Sequence, residues 1–293
     1  MVEITAQAVK ALRDRTGVGM MECKRALGES DGDLDRAVEV LRERGLAKAV
    51  KRSGRATSEG TVAVSLGDRV AGIVELGCET DFVAKTPDFQ ALAGALAERL
   101  VDDAGIDGRD VLLDATVEGE KVSEKITAAV GKMGENIVLN RCHRVTVGGS
   151  GRVGGYVHAG GKLGVVIGLA TEASGEALDV LAKDLAMHVA AADPSPIAVD
   201  RSGVDSALLD SERSIYRNQA VQSGKPEGVV EKIVEGRLNK YLSEICLVEQ
   251  AFVKDPDRTI GDLLRDVGAS VGAEIAVNGY QRYKLGEGDA GEA

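Results

Sequence analysis

The sequence predicts an α+β protein assembled from more than one unit, and three observations carry that prediction. The chain of 293 residues is longer than one hydrophobic core usually serves, so two or three domains are expected. Apolar residues recur at helical spacing over the first 45 positions, then alternate as in strands, then return to helical spacing, and this strand-to-helix succession occurs twice. A long stretch with helical periodicity and no strand signal follows the second succession.

Thr5 is placed to cap the first helix, with Ala8, Val9 and Leu12 on one face. Gly17-Val18-Gly19 interrupts the pattern, and a second helix carries Met20, Cys23 and Leu27. A third begins in the acidic stretch after Ser30 and presents Leu34, Val38 and Leu41. It is expected to stop near Gly45, because glycine often follows a last helical turn. Residues 47–60 are basic, contain Ser and Gly, and read as a connection. Val62, Val64 and Leu66, then Val70 to Leu76, read as two strands joined by a turn at Gly67-Asp68. Pro87 opens a helix that buries Phe89, Leu92, Ala93, Leu96 and Leu100. A helix near 123–131 and a strand over 137–147 complete this lobe.

The outline then repeats. After the glycine cluster 148–155, strands over 155–158 and 164–170 precede a helix over 174–192, which Asp193-Pro194-Ser195-Pro196 ends. Helices over 206–223 and 226–247 follow, joined at Ser223-Gly224-Lys225, with Val230, Ile233, Arg237, Tyr241 and Ile245 at helical intervals in the second. That pattern suits an antiparallel coiled coil that projects and equally a hairpin packed on the lobes. A short helix over 260–267, a strand over 273–283 and a Gly/acidic tail finish the chain.

Composition narrows the functional classes. A formal net charge of -11 repels nucleic-acid phosphates unless cations are gathered on one face, so no direct nucleic-acid binding is expected. The exception to weigh is Arg42 to Arg55, with six basic residues against the single acid Glu43; it reads as a solvated face or as an RNA contact. Cys23, Cys78, Cys142 and Cys246 lie far apart, with no C-x-x-C pair, as packed, reduced thiols do in the cytoplasm. Met-Val-Glu-Ile-Thr lacks the features of a secretory leader, and no apolar run approaches the roughly 20 residues that span a bilayer. The expected location is therefore cytoplasmic, with no membrane association.

Catalytic motifs find little support. Gly149-Ser150-Gly151-Arg152-Val153-Gly154 fits G-x-G-x-x-G, but strand-like rather than helical residues follow it. Gly268-Ala269-Ser270-Val271-Gly272 fits G-x-S-x-G, yet helical residues precede Ser270 and strand-like ones follow, the reverse of a nucleophile elbow. Gly161-Lys162 lacks the earlier glycine and the following hydroxyl of a phosphate loop, since Tyr156 and Leu163 hold those places. His143, His158 and His188 are too dispersed to read as a metal site. Neither a catalytic residue nor a metal or cofactor is expected.

Glu79-Thr80-Asp81-Phe82-Val83 falls between the end of a strand and the Pro87 helix, where a loop is held rigidly yet stays accessible. Phe82 is one of 3 Phe in a chain without Trp. Its ring, beside a carboxylate, suits a wedge that fills a partner's pocket. It suits equally a plug for the chain's own core, with Asp81 capping the coming helix.

At these residues the sequence resembles the elongation factor Ts family. Thr16-Gly17-Val18-Gly19-Met20-Met21-Glu22-Cys23-Lys24-Arg25-Ala26-Leu27 is similar to one family signature, and Thr80-Asp81-Phe82-Val83-Ala84 to the most specific one. Gly134-Glu135-Asn136-Ile137, Met187-His188-Val189-Ala190-Ala191, Gln222-Ser223-Gly224-Lys225-Pro226 and Val234-Glu235-Gly236-Arg237 match in the same order. The resemblance implies a ubiquitin-associated-like three-helix domain (1–46), a basic linker (47–60) and an α+β core subdomain (61–147). It further implies a second core subdomain (148–198 with 247–286), a coiled-coil hairpin inserted into it (199–246) and a flexible acidic tail (287–293).

It also implies an exchange factor, not an enzyme, for the GTPase elongation factor Tu. Thr80, Asp81, Phe82 and Val83 would push in near the GTPase's Mg²⁺ site, with secondary contacts from Val18, Gly19, Met20 and Met21, from Met133 and Gly134, and from His158 to Leu163. Two departures from the family pattern stand out. Gln250-Ala251-Phe252-Val253 replaces the common Gln-Pro-Phe-Val, and the chain ends soon after Gly288 without the terminal helix that some members add, which leaves open any partner contact made through that helix. The competing readings are a polypeptide-binding adaptor, because three-helix domains of this kind bind polypeptides, and, more distantly, a hydrolase using Ser270. Monomer and homodimer are both compatible with the sequence.

Overall fold

The computed structural model describes residues 4–224 and 226–288. Lys225 of the expected hairpin turn and residues 289–293 of the expected tail lie outside the described residues, as do residues 1–3. Three helices come first: α1 (Ala6–Thr16), α2 (Met20–Glu29) and α3 (Leu34–Arg52). The Thr5 hydroxyl accepts from the Ala8 amide at 3.2 Å, and Gly17 ends α1 in the left-handed region at φ 66°. Val9, Leu12, Cys23, Ala26, Leu27, Ala37 and Leu41 form a small core of their own.

α3 does not stop near Gly45. It runs on to Arg52, through much of the stretch expected to be a connection. Gly45 is buried, and a Cβ on Gly131 would sit 3.0 Å from its Cα. The glycine therefore serves a close helix crossing, and its lack of a side chain is used for packing rather than for a cap. Five of the six cations between Arg42 and Arg55 are engaged within the chain. Arg42 pairs with Glu124, Arg44 with Glu29, Lys48 with Glu22 and Arg55 with Glu79, while Arg52 donates to the Val130 carbonyl.

The first α+β lobe contains β1 (Glu59–Leu66), β2 (Val70–Cys78), α4 (Asp81–Ala84), α5 (Pro87–Asp102), α6 (Arg109–Asp114), β3 (Thr116–Val117), β4 (Glu120–Lys121), α7 (Val122–Met133) and β5 (Ile137–Thr146). β1, β2 and β5 form an antiparallel sheet with β2 in the middle. The second lobe contains β6 (Gly151–Val157), β7 (Leu163–Ala170), α8 (Glu176–Ala191) and, after the hairpin helices α9 (Ser206–Gln222) and α10 (Glu227–Ile245), β8 (Ala251–Phe252), β9 (Asp255–Thr259), α11 (Ile260–Val271) and β10 (Ala276–Lys284). Its main sheet has the order β10-β7-β6, also antiparallel. α6 and the small pairs β3–β4 and β8–β9 carry too few residues to produce a periodic signal, so the sequence did not announce them.

The two sheets stack face to face, and helices cover the outer side of each. Alternation along the central strands shows this directly. Ala71 and Ile73 of β2 and Val166 of β7 face the inter-sheet core with Val62, Val145 and Val153. Val74, Leu76 and Cys78 face α5 and α7, whereas Val165, Ile167 and Leu169 face α8 and α11. Glu75, on the inward side of β2, is 3% exposed and meets Arg141 of β5 at 2.8 Å. The Arg141 guanidinium lies 4.1 Å from the centroid of the Tyr283 ring and donates to the Lys284 carbonyl at 3.0 Å, so one ion pair ties β2 and β5 to β10.

α9 and α10 pair along Tyr216, Ala220, Val230, Ile233 and Val234, with a second cluster at their base around Leu242, Ile245 and Ala198. The base is fixed by backbone bonds from Ile197 to Ile245 and from Leu247 to Ala198. His188 of α8 is 1% exposed; its Nε2 meets Gln250 Oε1 at 3.0 Å, and its Nδ1 accepts from the Val253 amide at 3.3 Å. Gln250 in turn donates to the carbonyls of Pro194 and Glu244, which joins α8 to the foot of α10.

Two motif readings are decided by secondary structure. β6 begins at Gly151, earlier than the expected 155, so G-x-G-x-x-G is loop and strand with no helix N-terminus to receive a phosphate. α11 extends past 267 to Val271, and Ser270 donates to the Val267 carbonyl at 2.7 Å within its last turn. β10 accordingly starts at Ala276 rather than 273. Among the described residues, no helix is long and apolar enough to cross a membrane, and no group of three or more His, Cys, Asp and Glu is placed to hold a metal.

Candidate partner-binding site

The stretch between β2 and α5 is not an open loop but a single helical turn, α4, wedged between two threonine caps. Thr80 is extended (φ -128°, ψ 154°), and its hydroxyl accepts from the Val83 amide at 3.4 Å. Thr86 closes the turn: its hydroxyl donates to the Val83 carbonyl at 2.8 Å and accepts from the Phe89 amide at the start of α5. Gln90 donates to the Ala84 carbonyl at 2.5 Å. The capping expected of Asp81 therefore belongs to Thr80 and Thr86.

This turn decides which way the ring faces. Successive helical side chains point in different directions, so when Ala84 and Val83 pack on the first lobe's core, Phe82 must point away. Phe82 is 80% exposed, which excludes the reading in which it plugs its own core. Asp81 beside it pairs with Lys85 at 2.6 Å. The hydrogen bond from Lys85, with the added field of Lys85 and Lys162, holds the Asp81 carboxyl below the usual range. The pair is solvent-exposed and adds little to stability.

The brace behind the turn comes from residues to which the sequence reading gave no role. Glu135 accepts from the amides of Glu79 and Thr80 at 3.1 and 2.9 Å and from the Thr80 hydroxyl at 2.6 Å. Glu79 accepts from the Asn136 amide at 2.7 Å and from Arg55, and Asn136 donates to the Arg55 carbonyl at 2.8 Å. The Asn136 bond is the main reason the Glu79 carboxyl titrates below its ordinary range. Cys78 donates its thiol to the Thr80 carbonyl at 3.1 Å. Burial, helped by the nearby Glu135 charge, pushes that thiol up to about 11, so it stays protonated and able to donate. The available signal was Gly134-Glu135-Asn136, a charged residue directly after a left-handed glycine at the end of α7.

Short chains of contact link the other expected contact residues to elements that flank this turn. Met133 and Gly134 end α7 immediately before Glu135, and Met133 packs against the same core as Val83. His158 to Leu163 form a tight turn in which the His158 amide donates to the Leu163 carbonyl at 2.8 Å, and the imidazole shares a hydrogen bond with Tyr156. The Gly161 carbonyl accepts from the Val62 amide at 2.7 Å, and Lys162 pairs with Glu59 at 2.7 Å on β1. At the N-terminal unit, the Lys132 side chain crosses over Gly17 to reach Asp88 at 2.7 Å, at the start of α5. Just beyond, Gly19 precedes α2, Val18 is half-buried, and Met20 and Met21 are exposed.

An exposed aromatic ring on a turn whose polar groups are already engaged has the properties of a rigid docking element: it carries its own order to a partner. The comparisons with known proteins are consistent with that class. The family description Elongation factor TS matches residues 79–287, beginning at the brace residue Glu79. An elongation factor Ts of Clostridium perfringens is 46% identical over 288 residues, covering 97% of this chain and 94% of the relative. That of Chlorobium phaeobacteroides is 48% identical over 291 residues, covering 98% and 100%, and that of Maricaulis maris 43% identical over 294 residues, covering 98% and 94%. The chain belongs to the elongation factor Ts family.

Proposed function

We propose that this protein is a guanine-nucleotide exchange factor for elongation factor Tu in translation elongation, and that the α4 turn is the element that acts on the GTPase. The observation that carries this reading is the braced exposure of Phe82. On binding, the ring and Asp81 enter the GTPase beside the Mg²⁺ that links its nucleotide phosphates to protein oxygens. Mg²⁺ demands near-ideal octahedral geometry, so a small displacement of its surroundings sharply weakens nucleotide binding. GDP leaves and GTP takes its place. Coupling is reciprocal: a factor that loosens nucleotide is itself loosened when nucleotide rebinds, which lets one molecule act repeatedly without breaking a covalent bond.

Met20 and Met21, Met133 with Gly134, and the His158-to-Leu163 turn form the wider docking surface around α4. The three-helix unit, the two stacked core subdomains and the inserted α9–α10 hairpin are the structural units of the exchange factor. Release of labelled GDP from elongation factor Tu, followed with and without the protein, tests the reading. Accelerated release supports it; equal rates refute it.

A further inference from the structure

We infer that Glu135 is the positioning residue that holds the Phe82 turn in its docking orientation, an inference that rests on the exchange reading above. Glu135 is 55 positions from Thr80 in sequence and lies on a different element. It is delivered by Gly134, whose φ of 82° turns the chain sharply at the end of α7. Its two carboxylate oxygens take three donors of the chain entering α4: the amides of residues 79 and 80 and the Thr80 hydroxyl. In the reverse direction Glu79 accepts from the amide of residue 136, so the two segments are cross-strapped by reciprocal carboxylates.

The apolar core beneath is complete without this strap. Val83 and Ala84 alone would locate α4, but nothing apolar holds Phe82, which faces solvent. What Glu135 adds is the direction of the turn: with Thr80 pinned at its hydroxyl, amide and carbonyl, the first helical residues after it have one orientation. A partner then meets an ordered ring and does not have to order it on binding. An amide at position 135 would place an NH₂ group against donors and undo the strap at nearly constant volume.

The test is Glu135→Gln, with amide hydrogen exchange and GDP release read on the same samples. In the unaltered protein the amides of residues 79 and 80 exchange as slowly as those of β2. In Glu135→Gln, exchange over residues 79–84 quickens at least tenfold, while β2 and β5 remain well protected and the Tm falls by only a few degrees. The concentration giving half-maximal release of a fluorescent GDP from elongation factor Tu rises about tenfold, with the maximal rate retained. Freely exchanging amides at 79 and 80 in the unaltered protein overturn the inference without needing the variant to fold. A loosened turn with an unchanged half-maximal concentration overturns it as well. If the unaltered protein releases no GDP while its turn is protected, the exchange reading itself fails, and the role of Glu135 in exchange falls with it.

Discussion

Replacing Phe82 by alanine separates docking from folding, because the ring makes almost no contribution within its own chain. With 80% of the residue already exposed, the change leaves no cavity, and surface substitutions of this kind stay within about 0.5 kcal/mol. The Tm should accordingly move by no more than about 2 °C. In the complex the same 80% remains to be buried. Full burial of a large apolar side chain is worth roughly 1.5–3 kcal/mol, so about 1–2.5 kcal/mol of docking free energy is lost. At about 1.4 kcal/mol per decade this is a loss of roughly 5- to 70-fold in kcat/KM for GDP release. The assay is stopped-flow release of a fluorescent GDP from elongation factor Tu over a range of factor concentrations, with circular dichroism and thermal melting of the variant alongside. A folded Phe82→Ala protein that releases GDP at the original rate would remove the physical basis of the proposed mechanism.

Other predictions concern the scaffold behind the turn. Glu75→Gln removes the counter-charge 2.8 Å from Arg141 in the inter-sheet core and should cost about 3 kcal/mol in urea unfolding. A Cβ at position 154 would stand 2.5 Å from the Ala182 side chain and 2.7 Å from its backbone carbon. Gly154→Ala must therefore push α8 off β6 and destabilise by about 1–3 kcal/mol in the same assay. Burial lowers the pKa of His188, so below its unfolded value of about 6.5 the unfolded chain takes up a proton that the folded chain refuses. Stability attributed to His188 is thus present above that pH and lost as pH falls from there towards the folded pKa, at no more than about 1.4 kcal/mol per pH unit. Melting temperatures measured between pH 7 and 5 should fall less steeply in His188→Gln than in the unaltered protein.

Local signals determined a good part of this protein. The Thr5 cap, the Pro87 start, the apolar face Phe89–Ala93–Leu96–Leu100 and the alternation along the future β2 and β7 all depend on neighbours within a few residues, and all appear in the structure. The colinear motifs that mark the family were legible for the same reason: they are statements about order along the chain. Other features depend on what lies across space. Gly45 looks like a helix end until α7 supplies Gly131 against it, at which point the missing side chain becomes a packing device. Glu135 and Asn136 have no visible role until the fold brings them beside Glu79 and Thr80.

The outward turn of Phe82 is the clearest case. An aromatic residue beside Val83 and Ala84 has the same local pattern whether it enters the core or leaves it, so periodicity could not choose. The choice falls to α4, where Val83 and Ala84 fill the space above the first lobe and two threonines and a distant carboxylate set the turn's direction. Sequence determined that a ring would stand between a strand and a helix; only tertiary structure decided that it would face solvent, because orientation is set by which neighbours have already taken the interior.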